Sequence, residues 1–169
     1  MFNELRYDPV TGLLYWKISK PNVKKDSVAG NFCNTHKYIK IMVNKKNYYA
    51  HRVCWYLHYG SFPTKQIDHI NGVRHDNRIC NLREATDGEN KQNLPKRNDN
   101  TSGYTGVCWV KRDKKFEVRI YVNNKKIHLG YFDNVELAHQ TYVEAKKQHH
   151  KFNSTERKKT THYPLALYV

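Results

Sequence analysis

Between residues 95 and 103 the chain reads Pro95-Lys96-Arg97-Asn98-Asp99-Asn100-Thr101-Ser102-Gly103. A proline opens the run, a glycine closes it and every side chain between is polar, so neither a strand nor an amphipathic helix continues through it. The 169 residues are thereby divided into two parts, each with room for a modest core only. The boundaries expected on this basis are a first domain over 1–95, a linker over 96–103, a second domain over 104–152 and a tail over 153–169. A single large sheet or a long bundle is excluded; small sheets with few helices, an α+β chain, remain.

The first part reads as short strands separated by turns. Asp8-Pro9-Val10-Thr11-Gly12 is a turn and Leu13–Lys17 a strand after it. Residues Tyr38–Val43 and Tyr48-Tyr49 flank Asn44-Lys45-Lys46-Asn47 as a hairpin. Over 50–59 the apolar residues Val53, Trp55/Tyr56 and Leu57 fall three and four apart, and Gly60 follows, which predicts a short helix. Gln66–Ile70 is a strand ending at Asn71-Gly72, Arg78–Arg83 a second extended piece, and Thr86 or Asp87 caps a polar helix running to about Leu94.

In the second part three strands (106–110, 116–122 and 127–131) precede a helix of about 15 residues capped near Asn134. Ala138, Thr141/Tyr142, Ala145 and His149 form its inner stripe. Alternation turns Phe116, Val118 and Ile120 one way and Glu117, Arg119 and Tyr121 the other. With Ile127 and Leu129 inward, Lys126 and His128 join the outer face, which is basic and aromatic.

Charge narrows the partners. Lys and Arg outnumber Asp and Glu 17 to 9 over residues 1–100 and 13 to 6 over 101–169. The excess sits in both parts, so it is not a basic tail on a neutral enzyme. Self-repulsion of +15 costs stability, and a polyanion offsets it; nucleic acid is the first expectation. No apolar run is long enough to cross a bilayer and the first residues lack signal-peptide order, which points away from membranes and towards the cytoplasm. Cys33, Cys54, Cys80 and Cys108 form no C-x-x-C pair, so buried reduced thiols are expected rather than a structural zinc site. Trp55, Trp109 and His51 read as structural.

Asp68-His69 stands where a strand meets a turn, with Asn81 on the next extended piece and Asn90 in the helix after it. The side chains suit phosphodiester hydrolysis. Asp68 and Asn90 are hard oxygen donors for an ion that keeps several waters, Mg²⁺ (or Mn²⁺) rather than Zn²⁺. A neutral His69 is suited to take the proton of an attacking water, and Asn81 to orient its imidazole. Arg52 and Arg78 are candidate phosphate contacts.

Ala50-His51-Arg52, Ile67-Asp68-His69-Ile70-Asn71-Gly72, Asp76-Asn77-Arg78, Asn81-Leu82-Arg83-Glu84-Ala85-Thr86, Asn90 and Asn93 together resemble the HNH endonucleases of phages and mobile introns, in the subgroup whose final His is Asn. The resemblance spans roughly residues 1–95. It implies a ββα-metal (His-Me finger) motif over about 64–95, with His69 as general base, Asn81 supporting it and Asp68 and Asn90 on the metal. It also implies one cut per active site, hence a nick from a monomer and a double-strand break only from a transient dimer or sequential cuts.

Ser102-Gly103-Tyr104-Thr105-Gly106-Val107, Lys115-Phe116, His128-Leu129-Gly130-Tyr131-Phe132-Asp133, Glu136-Leu137-Ala138, Tyr142 and Ala145 resemble the ethylene-response-factor (APETALA-type) DNA-binding domain. This implies a three-stranded antiparallel sheet packed on one helix and laid in the major groove of double-stranded DNA. Arg119, Tyr121, Lys126 and His128 then occupy reading positions, and Lys111, Arg112, Lys114 and Lys115 phosphate positions. The expected function is a site-directed, homing-type DNA endonuclease. The rivals are a non-catalytic DNA-binding regulator and a structure-specific repair or packaging nuclease.

Overall fold

The structure, a computed structural model, describes residues 1–92, 99–123, 125–152 and 168. Leu94, the start of the expected linker and almost all of the expected tail lie outside the described residues. The chain divides into two compact units, Met1–Ala85 with Lys158–Val169, and Thr86–Arg157. The described elements are small antiparallel sheets and three α-helices. No described helix is long and apolar enough to cross a membrane.

In the first unit β1 (Leu5–Asp8) and β2 (Leu13–Trp16) form a hairpin. The Asp8 carboxylate closes its turn, accepting from Val10 N at 3.0 Å and Thr11 Oγ1 at 2.7 Å, as Asp does at turn starts. A second sheet runs β3 (Asn31–Cys33), β4 (Tyr38–Val43), β5 (Lys46–Tyr49). Its ladder extends to Val43↔Lys46, so the turn is two residues, Asn44 and Lys45, both at positive φ (50° and 62°). That handedness matches the twist of the strands it joins. β3 has no counterpart in the sequence reading.

Helix α1 (Ala50–Tyr59) buries Ala50, His51, Val53 and Cys54 and ends at Gly60. β6 (Gln66–His69) pairs antiparallel with β7 (Leu82–Ala85), placing Asp68 opposite Arg83 and His69 opposite Leu82. The expected strand over 78–83 is instead a 3₁₀ turn, Ile79–Asn81, followed by β7. Phe2, Leu5, Leu14, Ile39, Ile41, Val53, Ile67 and Leu82 pack into one core. Residues of β1, β2, β4, α1, β6 and β7 thus share this core.

In the second unit α2 (Asp87–Gln92) opens on a capping box. Glu89 N donates to Thr86 Oγ1, and Thr86 N donates back to Glu89 Oε2 at 2.9 Å. β8 (Val107–Val110), β9 (Lys115–Val122) and β10 (Lys125–Phe132) form an antiparallel sheet with β9 central. Helix α3 (Val135–His149) is capped by Asn134, whose side chain accepts from Leu137 N at 2.8 Å. Val107, Val118, Ile120, Ala138, Tyr142 and Ala145 form the core of this unit.

Four expectations change here. A bulge between His128 and Gly130 shifts the β10 register, and Ile127, expected inward, is exposed. His149 is exposed while Lys146, not foreseen, is buried. Trp109 lies 43% exposed instead of in the core, because it stands on an edge strand beside Phe116. Of the four thiols only Cys54 is buried, and Cys80 is exposed.

Gly106 is fixed by both backbone and space. Its φ is +78°, and a Cβ there would lie 2.1 Å from the Tyr142 ring. Gly106→Ala therefore combines left-handed strain with overpacking against a buried ring and is expected to cost about 3 kcal/mol. Denaturant unfolding of the full chain checks this; a loss within a few tenths of a kcal/mol contradicts the packing described.

Candidate active site

β6 carries Ile67, Asp68 and His69 into the first unit, and only 6% of Asp68 and 4% of His69 is exposed. Immediately after His69 the chain must reverse. Gly72 supplies the required positive φ (74°), and its N–H donates to the His69 carbonyl at 2.8 Å. Asn71 turns on itself, its Oδ1 accepting from Val73 N at 2.8 Å, and its Nδ2 donates to Asp76 Oδ2 at 2.7 Å.

Asp76 is the hub of this loop. It is fully buried, and Arg78 forks onto it with Nε to Oδ1 at 2.8 Å and Nη2 to Oδ2 at 2.6 Å. Burial pushes the Asp76 carboxyl up, but the hydrogen bonds and charge of Arg78 outweigh it and hold the group below the usual carboxylate range. Arg78, a candidate phosphate contact from sequence, is thus engaged inside its own loop.

Asn81 closes the loop from the other side. Its Oδ1 accepts from Asn71 N at 3.0 Å and its Nδ2 donates to the Asp76 carbonyl at 2.8 Å. Both ends of the amide are engaged by backbone, so Asn81 acts on the loop rather than on the imidazole. The polar side chain at His69 is Asn77, whose Oδ1 lies 3.3 Å from Nε2. Asn77 is 1% exposed, and the Tyr7 hydroxyl donates to its carbonyl at 2.7 Å. Its Nδ2 is buried with no hydrogen-bond partner among the described residues, an uncommon and costly state for a native side chain.

Two further neighbours were not evident from spacing. Arg83, opposite Asp68 across the hairpin, sets Nε at 2.9 Å and Nη2 at 2.6 Å from Asp68 Oδ2. His51, in the first turn of α1, meets the His69 ring edge to face at 5.2 Å and stacks on Tyr49 at 5.5 Å. Tyr38 touches both imidazoles. Burial, then the charges of His69 and Arg52, drive His51 down to about 3. For His69 burial again pushes the pKa below the ordinary histidine range, against the raising pull of Asn77 and of Asp68 and Asp76. Both rings are neutral at pH 7.

The structure therefore brings Asp68, His69 and Asn81 together in the first unit. Asn90 lies in α2, its N–H donating to the Thr86 carbonyl at 2.9 Å, and belongs to the second unit. Arg52 sets its guanidinium 5.8 Å from the centre of the Phe62 ring.

The remaining candidates are in the second unit. Lys111, Arg112 and Lys114 are exposed in the β8–β9 turn, with Arg112 paired to Asp113 at 2.7 Å. Lys115 stands 3.6 Å from Asp133. Tyr121 is exposed, and Arg119, Lys126 and His128 surround Glu117 on the outer face of the sheet.

Protein 3.8 of Escherichia phage T7 is 29% identical to this chain over 86 residues, which is 51% of this chain and 71% of that protein. No solved structure matches. Residues 48–92, from β5 through α2 and including Asp68, His69, Asn77, Asn81 and Asn90, match the family model described as HNH endonuclease.

Proposed function

We propose that this chain is a divalent-metal-dependent DNA endonuclease of the homing type, in which the first unit cleaves and the second grips the duplex. The observation that carries the reading is the buried Asp68–His69 pair with a neutral imidazole, inside residues that match an HNH endonuclease model.

The donor set fits a hard ion. Asp68 presents a buried carboxylate, the hard oxygen donor that such an ion takes. Among the described residues no three His, Cys, Asp or Glu side chains cluster as a metal cage. That suits Mg²⁺ or Mn²⁺, which take one or two carboxylates and fill the remaining positions with water and phosphate oxygens. Asp68 would hold the ion; when bound it supplies charge stabilisation to the phosphate and the departing 3′-oxygen.

The protein's own groups do the rest. Asn77 lies at Nε2 and orients the ring, and the neutral imidazole takes the proton of the attacking water. The water oxygen bonds to phosphorus as the bond to the 3′-oxygen breaks, leaving a 5′-phosphate and a 3′-hydroxyl. Asn81, Asp76 and Arg78 hold the loop that carries Asn77, and Arg83 fixes Asp68. With one such site per chain, a single molecule makes a nick.

In the second unit Arg119, Tyr121, Lys126 and His128 form the base-reading face, in the manner of the APETALA-type domain. Lys111, Arg112, Lys114 and Lys115 bind phosphates, and the host cytoplasm is the place of action.

The test is supercoiled plasmid incubated with the full chain and Mg²⁺ or Mn²⁺. Open-circular product that disappears with a chelator is expected. Plasmid that is bound yet stays supercoiled with either ion would sink the nuclease reading in favour of a DNA-binding regulator.

A further inference from the structure

The outer face of the second unit's sheet is organised around a negative charge, which is unexpected on a chain of net charge +15. Glu117 sits on the central strand β9, opposite Cys108 on one side and Tyr131 on the other. Its Oε1 is 3.2 Å from Lys126 Nζ and 3.4 Å from His128 Nδ1, and its Oε2 is 3.7 Å from Arg119 Nη1. The carboxylate is sunk, 14% exposed, while the side chains around it are 36–44% exposed. Burial pushes Glu117 up, yet the Lys126 and Arg119 charges outweigh this and keep it ionised.

Stability does not explain the arrangement, because ion pairs with partners this exposed contribute about 0–1 kcal/mol each. Affinity for a polyanion does not explain it either. A carboxylate on a DNA-facing surface repels phosphate and occupies N–H donors that phosphate oxygens would otherwise take. Arg119 has donors to spare: Nη2 contacts Cys108 Sγ at 3.4 Å while Nη1 faces Glu117. What the arrangement does achieve is directional. Two cationic side chains and an imidazole are aimed at one point on the face instead of spreading towards the nearest phosphates.

We propose that Glu117 is a specificity-determining residue of the DNA-binding face. It holds Arg119, Lys126 and His128 back from indiscriminate phosphate contact, so that tight binding requires base edges that satisfy these donors. The inference rests on the reading of this sheet as the DNA-binding surface. It makes discrimination a matter of suppressing the wrong complexes as well as favouring the right one.

The experiment uses the full chain and a duplex pool of random sequence, with affinity measured across a salt series. Glu117→Gln keeps the side chain's size and removes its charge. It is expected to tighten binding to random duplex about 3- to 10-fold at low salt and to steepen the dependence of log affinity on log salt by about one, as a freed cation joins the phosphate contacts. Affinity that is unchanged or weaker overturns the proposal. Arg119→Ala and Lys126→Ala are each expected to weaken binding, and adding both to Glu117→Gln is expected to abolish its gain. A gain that survives in that triple variant also overturns the proposal, since the freed charge would then act elsewhere. Should Arg119→Ala and Lys126→Ala leave duplex affinity untouched, the sheet is not the DNA face, and both the proposal and the reading beneath it fall. Normal losses in those two variants with no gain in Glu117→Gln refute the proposal alone.

Discussion

Replacing His69 with alanine is expected to slow plasmid nicking about 10²- to 10⁴-fold, the usual worth of a positioned general base, with duplex binding close to that of the unaltered chain. In the proposed mechanism the imidazole is the proton acceptor, and being neutral at pH 7 it makes no contribution to net charge that binding would miss. Alanine also removes packing against His51 and Tyr38. His69→Gln serves as the second variant, because it retains a polar group for Asn77 but has no basic nitrogen. Both variants should be slow, and His69→Gln should keep the unfolding midpoint near the wild-type value. Nicking at an undiminished rate in His69→Gln would remove His69 from the mechanism while leaving the loop geometry intact.

Acid is expected to destabilise the protein from about pH 6.5 downward, well above the range where carboxylates titrate. An unfolded histidine protonates near 6.5, whereas folded His51 resists protonation until about 3. Between those values the unfolded state binds the extra proton, so stability falls as pH falls, by about 1 kcal/mol per pH unit from this one residue. His69, also lowered, acts in the same direction. Asp76 enters later. Its folded pKa lies below the ordinary 3.8, so the stability it contributes is complete above 3.8 and is lost only as pH drops through the folded value. Urea unfolding at pH 7, 6, 5 and 4 should therefore give a slope for the unaltered chain that is shallower in His51→Gln by about 1 kcal/mol per unit. Equal slopes in the two proteins contradict the burial of a neutral His51.

Local features of the chain were legible in its sequence because they depend on neighbours. The spacing of Val53, Trp55 and Leu57 before Gly60 gives α1 at Ala50–Tyr59. The alternation in β9 gives Val118 and Ile120 buried, with Glu117, Arg119 and Tyr121 on the other side. Thr86 and Glu89 form the capping box that opens α2. At the candidate site, the strand carrying Asp68 and His69 into a turn was legible for the same reason.

Relations across space were not. Arg83 reaches Asp68 only because the hairpin register sets them opposite, and a shift of one residue would turn that side chain to the other face. His51 meets His69 through the packing of α1, which no spacing encodes. Asn77, not Asn81, stands at the His69 ring, and a 3₁₀ turn, not a strand, leads into β7. The bulge between His128 and Gly130 has only Gly130, at φ 129°, as its signal.

The tie between the first hairpin and the loop that carries Asn77 bears on how this part of the chain can be moved or trimmed. Tyr7 on β1 holds the Asn77 carbonyl, and Ile79 N donates to the Pro9 carbonyl at 3.2 Å. Phe2, Leu5 and Leu14 share one core with Val53, Ile67 and Leu82. The segment that matches the family model begins at residue 48, yet the brace on its loop comes from residues 2–14. The transplantable cassette is therefore larger than the recognisable motif. A graft of the motif alone would carry the reacting groups into a new host protein without the clamp that keeps them aligned.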